Sequence, residues 1–139
     1  MGKFFSEIYQ LFKDQAKGKS IVFEVEGEKN LTANFDPELC KQTMMNIIQN
    51  AFDAVDVNGK VQVTYKSENE KLAILVKDDG HGIPPGDQKK IFDLYYTTKK
   101  EGNGLGLSIS QKIISQHNGL LGVTSDEKGT IFKITIPVS

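Results

Sequence analysis

A chain of 139 residues with 38% hydrophobic and 25% charged residues is sized for one globular domain whose core needs no covalent staple. Its net charge of -1, from 17 Lys and Arg against 18 Asp and Glu mixed along the chain, offers no basic field for a nucleic-acid backbone or an anionic membrane. The single Cys40 cannot close an internal disulfide, and no apolar run suits a membrane span or signal peptide, so the chain reads as soluble and cytoplasmic.

The Met1-Gly2 start, directly before an amphipathic segment, predicts a piece of a longer parent whose sensor or membrane parts lie elsewhere, with residues 1–139 as one domain. Phe4, Ile8, Leu11 and Phe12 recur at helical intervals and predict a short helix before the break at Lys17-Gly18-Lys19. Ile21, Phe23 and Val25 alternate with polar neighbours as a strand does, and a second short strand is expected from Leu31 to Phe35. Asp36-Pro37 supplies a cap and a first-turn proline for a helix carrying Met44, Ile47, Ile48, Ala51 and Val55, expected to end near Asn58-Gly59. Val61, Val63 and Tyr65 alternate, Leu72 to Val76 is nearly all apolar, and Glu68-Asn69 turns between them, which predicts a central hairpin. Loop follows at Asp78 to Gly86, then a short helix around Asp87 to Phe92 and a polar stretch from Thr97 to Gly104. Leu105, Ile109 and Ile113 mark a last helix stopping at His117-Asn118-Gly119, where Gly119 suits a left-handed terminus. Strands at Leu120 to Thr124 and Ile131 to Ile136, joined at Lys128-Gly129, close the chain. The order of elements predicts an α/β (α+β) two-layer sandwich, a mixed sheet with helices packed on one face.

Three constellations carry chemistry. Asn46 and Asn50 lie four apart on one helix face with Asp53 three further on; their hard oxygens suit magnesium, and the same triplet also suits a solvated face. The segment Asp78-Asp79-Gly80-His81-Gly82-Ile83-Pro84 follows a buried strand, so a carboxylate stands beside glycines that let backbone approach a flat ligand; an ordinary tight turn is the alternative. Gly102-Asn103-Gly104-Leu105-Gly106-Leu107 opens the last helix, whose free amides attract anions. It is neither a P-loop, lacking Lys-Ser/Thr after the glycines, nor a dinucleotide fingerprint, lacking a close preceding strand. Thr97-Thr98-Lys99-Lys100 just upstream offers hydroxyls and ammonium groups to a terminal phosphate, or simply to water.

In this order and spacing the motifs resemble the catalytic and ATP-binding domain of sensor histidine kinases, over nearly the whole chain from Phe4 to Val138. Asn46-Ile47-Ile48-Gln49-Asn50-Ala51 is similar to the family's asparagine box, Asp78 to Gly82 to its first glycine box, Ile91 to Lys99 to its phenylalanine box, and Gly102 to Leu107 to its second glycine box. Asp53-Ala54 after the first box and Thr-Thr-Lys in the third resemble the nitrogen-regulator and sporulation-kinase branch. The resemblance implies the Bergerat ATP-binding fold shared with gyrase-type ATPases and heat-shock chaperones, with ATP held under a lid. It implies magnesium on Asn50, with Asn46 as a further candidate, and catalytic roles for Asn46 and Lys99. Asp78 would recognise the adenine amino group in a pocket shaped by Gly80, Gly82 and Ile83. Asp53, Phe92, Thr97, Thr98, Lys99, Gly102, Gly104, Leu105, Gly106 and Leu107 would complete the ATP contacts, the segment from Thr97 to Gly104 forming the lid. Leu94 replaces a common proline, Tyr95-Tyr96 replace Phe-Phe or Phe-Tyr, and Asp53 replaces a phosphate-binding lysine of other branches, which passes that contact to Lys99 or Lys100.

Related ATPases place a glutamate base where Asn46 stands; an amide cannot take a proton from water, so transfer is expected rather than hydrolysis. An imidazole acceptor brings its own lone pair and needs positioning more than a base. Neither His81, between glycines, nor His117, at a helix end, has the family's acceptor context, so the acceptor is expected on a separate dimerisation and phosphoacceptor domain, with a response regulator downstream. The isolated domain is expected to be a monomer without membrane or nucleic-acid contacts. The alternatives are a serine kinase of the anti-sigma-factor type and a scaffold that binds nucleotide without transfer. Cys40 is expected to be an inert filler.

Overall fold

The computed structural model describes residues 2–28, 31, 33, 35–80 and 106–137, and in them the two periodicities of the sequence become three helices and five strands. Helix α1 (Gly2–Gly18) precedes strand β1 (Val22–Gly27). Helix α2 (Pro37–Ala54) precedes β2 (Lys60–Glu68) and β3 (Lys71–Asp78), and helix α3 (Gly106–Gln116) precedes β4 (Leu120–Asp126) and β5 (Gly129–Pro137). The sheet runs β1-β2-β3-β5-β4; β1 lies parallel to β2 and every other neighbouring pair is antiparallel.

Register puts alternate residues on one face. Val61, Val63 and Tyr65 stand beside Asp78, Val76 and Ile74, which in turn face Thr130, Phe132 and Ile134 across β5. That face is buried under Phe5, Ile8 and Phe12 of α1, Met44, Ile47, Ile48 and Phe52 of α2, and Ile114 of α3. Phe5 stacks flat on Tyr65 with ring centroids 3.9 Å apart, and Phe23 meets Phe52 edge-on at 5.2 Å. The opposite face is polar, crossed by Lys60–Glu24 and Lys133–Glu68 ion pairs of 3.3 Å each. The expected two-layer α+β arrangement, helices on one face of a mixed sheet, is the one observed.

Four local expectations change. Helix α1 extends to Gly18 and buries Phe5, Ile8, Phe12 and Ala16, leaving Leu11 50% exposed. At 3.6 residues per turn those four form one stripe, and Phe4 and Leu11 lie on its flank. Leu31, Ala33 and Phe35 take no place in the ladder and instead pack partly buried against the core; their alternation reflects side chains dipping inward. Helix α2 stops at Ala54 because Val55 turns extended (ψ 151°), and its side chain reaches the core from that conformation, which keeps the apolar rhythm without helix. After α3 the left-handed residue is Asn118 (φ 59°), not Gly119. Asparagine tolerates that region, and Gly119 is needed instead because a Cβ there would stand 2.3 Å from the Thr135 carbonyl oxygen.

Candidate functional site

Helix α2 is launched by Asp36, whose carboxylate accepts from the Glu38 and Leu39 amides at 2.9 and 3.2 Å, with Pro37 at the first helical position. The helix therefore begins at a fixed residue, and that fixes which side chains follow the core stripe and which face α3. Thr43, Ile47, Ile48 and Ala51 are buried, while Asn46 and Asn50 are half-buried on one face. Asn46 Nδ2 donates to the fully buried Ser110 Oγ of α3 at 3.4 Å, which ties the asparagine face to that helix. Asp53 is exposed and accepts from Gln49 Nε2 one turn before it at 3.0 Å.

Asp78 ends β3 in the same phase as Leu72, Ile74 and Val76 and is only 4% exposed. A carboxylate in that position is costly unless bonded. Its Oδ1 accepts from the Gly80 amide at 2.9 Å. Asp79 faces the other way and accepts from the Lys60 amide at 2.8 Å, pinning the end of β3 to the start of β2. Gly80 is pressed against the last residue of α2, since a Cβ there would lie 2.3 Å from the Ala54 carbonyl oxygen. Asn50 is one helical turn before Ala54, about 6 Å along the axis, so the asparagine face and the buried carboxylate share one end of the helix layer. Thr130 lies opposite Asp78 in the register, 4% exposed, with its hydroxyl 2.9 Å from that of Ser125.

Helix α3 begins at Gly106 and carries no acidic side chain in its first turn to compete for its amides; Leu107 is half-buried against the core. The remaining expected site residues Gly82, Ile83, Phe92, Thr97, Thr98, Lys99, Gly102, Gly104 and Leu105 lie outside the described residues, as do His81 and Lys100. Sequence reasoning missed Ser110, Thr130 and the contacts of His117. Thr130 was detectable as a polar residue in the buried phase of β5; Ser110 shows its role only once two helices are placed side by side.

Among the described residues no group of three His, Cys, Asp or Glu side chains stands together as a metal cage. The half-buried Asn50 amide is the neutral, hard oxygen donor that suits magnesium, which takes few protein ligands and fills its shell with phosphate and water oxygens. Cys40 is outside this chemistry: burial first, and the Asp36 carboxylate second, push its thiol up to about 12 from the ordinary 9.0. At neutral pH it is an unionised apolar filler.

The family described as histidine kinase-, DNA gyrase B-, and HSP90-like ATPase matches residues 35–139. The signal transduction histidine-protein kinase AtoS of Escherichia coli (strain K12) is 42% identical over 108 residues, 76% of this chain and 18% of its own length. Sporulation kinase A of Bacillus subtilis (strain 168) is 35% identical over 137 residues, 97% of this chain and 23% of its own. The chain thus spans about a fifth of these curated relatives. The nucleotide-free catalytic domain of histidine kinase ThkA superposes with a TM-score of 0.92 at 34% identity, over 99% of this chain and 92% of that one. ThkA in complex with the response regulator protein TrrA matches with a TM-score of 0.88 at 32% identity, over 100% of this chain and 40% of that one.

Proposed function

The chain belongs to the histidine kinase-, DNA gyrase B-, and HSP90-like ATPase family, and on that premise we propose that it binds Mg-ATP and passes the γ-phosphoryl group to a histidine of a separate dimerisation and phosphoacceptor domain in two-component signalling. The observation that carries this reading is that the asparagine face of α2 is tied to Ser110 of α3 while the last residue of α2, Ala54, presses on Gly80, the amide partner of the buried Asp78 carboxylate. Asp78 accepts a hydrogen bond from the adenine amino group, and Gly80 lets the base lie close to the turn. Asn50 would hold magnesium, which would neutralise phosphate charge, and the start of α3 at Gly106 turns its positive dipole end toward the phosphates. The reading also assigns the terminal phosphate to Lys99, with Thr97 and Thr98, and further phosphate contacts to Gly102 and Gly104, all of which lie outside the described residues.

The reaction needs little covalent help from the protein. An imidazole nitrogen lone pair of the acceptor attacks the γ-phosphorus, the bond to the bridging oxygen breaks, and ADP leaves with that oxygen's electrons. The domain contributes alignment and charge stabilisation. Asn46, bonded to Ser110, positions the phosphate end of the site; its amide has no basicity with which to activate water, so hydrolysis is slow. The names of the relatives support a kinase, and the ThkA complex supports a response regulator as the next partner. Among the described residues no helix is long and apolar enough to cross a membrane.

The test is a calorimetric titration with ATP, with and without magnesium, beside a phosphate-release assay, followed by transfer to a supplied phosphoacceptor domain. Magnesium-dependent binding, negligible release and acid-labile label on the acceptor histidine are expected. Rapid release would make the chain an ATPase, and binding without transfer a scaffold.

A further inference from the structure

The turn after α3 carries a histidine that the phosphotransfer chemistry does not use. The half-buried ring of His117 has its Nε2 3.0 Å from the backbone nitrogen of Asp36, 81 residues away, and its Nδ1 2.8 Å from the carbonyl oxygen of Ile113. A backbone amide only donates and a carbonyl only accepts, so Nε2 must be the bare acceptor and Nδ1 must carry the proton. The geometry permits one form of the ring: neutral, protonated on Nδ1. Asp36 is also the residue whose carboxylate caps α2, so the imidazole fixes the start of one helix to the end of the other.

A second tie between the same helices is Asn46 to Ser110. The residue pairs 36 with 117 and 46 with 110 ascend one helix while descending the other, so α2 and α3 run antiparallel, bonded to one another at these points. The ties are separated by about 15 Å along α2 and about 10 Å along α3. One tie leaves a helix free to pivot and slide about it; a second, ten residues along α2 and seven along α3 from the first, removes both freedoms. Four residues before Ser110, about 6 Å along the axis, α3 starts at Gly106, in the same direction along the antiparallel pair as Asn50 lies four residues beyond Asn46 on α2.

We propose that His117, as the neutral Nδ1-protonated imidazole, is a positioning residue that locks α3 axially against α2 and thereby sets where the first turn of α3 offers its amides to the nucleotide phosphates. This rests on the nucleotide site proposed above. His117 touches no ligand and acts through the placement of α3. Amides at a helix start reward only a phosphate at hydrogen-bonding distance, so a small axial slip costs affinity steeply.

The experiment uses the 139-residue chain and two substitutions. Long-range proton–nitrogen spectra of the two histidines, assigned by the signal lost in His117→Gln, are expected to show His117 as the Nδ1-protonated tautomer with an unprotonated Nε2. His117→Phe keeps the ring and removes both bonds, and is expected to weaken Mg-ATP binding roughly tenfold or more. His117→Gln places an amide oxygen where Nε2 stood and is expected to recover most of the affinity. An Nε2-protonated His117, or a folded His117→Phe chain that loses stability yet binds Mg-ATP like its parent, overturns the proposal and leaves a structural cap. Should His117→Phe not fold, the tautomer and the glutamine variant decide: a folded His117→Gln chain that binds Mg-ATP about tenfold or more weakly than its parent refutes the Nε2 bond as the operative tie. Failure of the unsubstituted chain to bind Mg-ATP would instead refute the nucleotide site, and the role of His117 in it, whatever the tautomer.

Discussion

Replacing Asp78 by asparagine separates recognition from folding. The side chain is 4% exposed and one oxygen already accepts from the Gly80 amide at 2.9 Å. Asparagine has the same shape and can keep that bond through its own oxygen, but the other oxygen becomes an NH2 group. Toward the adenine amino group proposed as its partner, an acceptor oxygen is thus exchanged for a donor. Losing a charge-assisted bond costs about 1.5–3 kcal/mol, and leaving a buried donor facing a donor adds about 1–3 kcal/mol. Flipping the amide does not escape this, since its NH2 would then oppose the Gly80 amide. The sum of about 2.5–6 kcal/mol corresponds to a loss of about 10²–10⁴ in affinity at about 1.4 kcal/mol per tenfold. Titration calorimetry with Mg-ATP measures it, and a thermal melt checks that the fold survives with its midpoint within about 3 °C of the parent. A folded Asp78→Asn chain that binds Mg-ATP within about threefold of the parent would refute the assignment of this carboxylate to the base.

Asn50→Ala removes the proposed magnesium donor, so ATP affinity should become the same with and without the metal; a magnesium dependence equal to the parent's would exclude Asn50 as the ligand. Gly80→Ala forces a methyl to within 2.3 Å of the Ala54 carbonyl oxygen. Separation of the turn from α2 should lower stability by about 1–3 kcal/mol, and an unchanged urea midpoint would contradict that close approach. Cys40, raised to about 12 from 9.0, stays protonated in the folded chain over a window in which the unfolded chain ionises. The stability this provides is fully present below the unfolded value and is lost as pH rises through that window. Iodoacetamide at pH of about 10 should therefore label urea-unfolded chain and spare the folded form. Equal labelling of both would show a thiol open to solvent.

Much of the fold can be read locally. Asp36-Pro37 announces the start of α2 because a capping carboxylate and a proline at the first helical position act within one turn. The apolar run from Leu72 to Val76 marks a buried strand with Asp78 at its end, while which phase Asp78 shares is fixed only by the register, and the spacing of Asn46 and Asn50 puts them on one side of a helix. Those features depend on backbone geometry that repeats every two or 3.6 residues, so a single sequence records them. The same rule misleads where apolar rhythm outlasts its element, as at Val55, where an extended residue reaches the core, and at Leu31 to Phe35, where alternation packs side chains without a ladder.

What the sequence by itself determined is therefore the order of the three helices and five strands among the described residues, though not the absence of a strand at Leu31 to Phe35, together with the start of α2 and the shared helix face of Asn46 and Asn50. Only the tertiary structure decided the strand order β1-β2-β3-β5-β4, the bond between Asn46 and Ser110, the need for glycine at 119 to clear the Thr135 carbonyl, and the clasp of His117 on Asp36. Each of these joins residues far apart in the chain, and their meeting depends on how whole helices and strands fill volume against one another. No local period encodes that packing, so it is expressed only when the core closes.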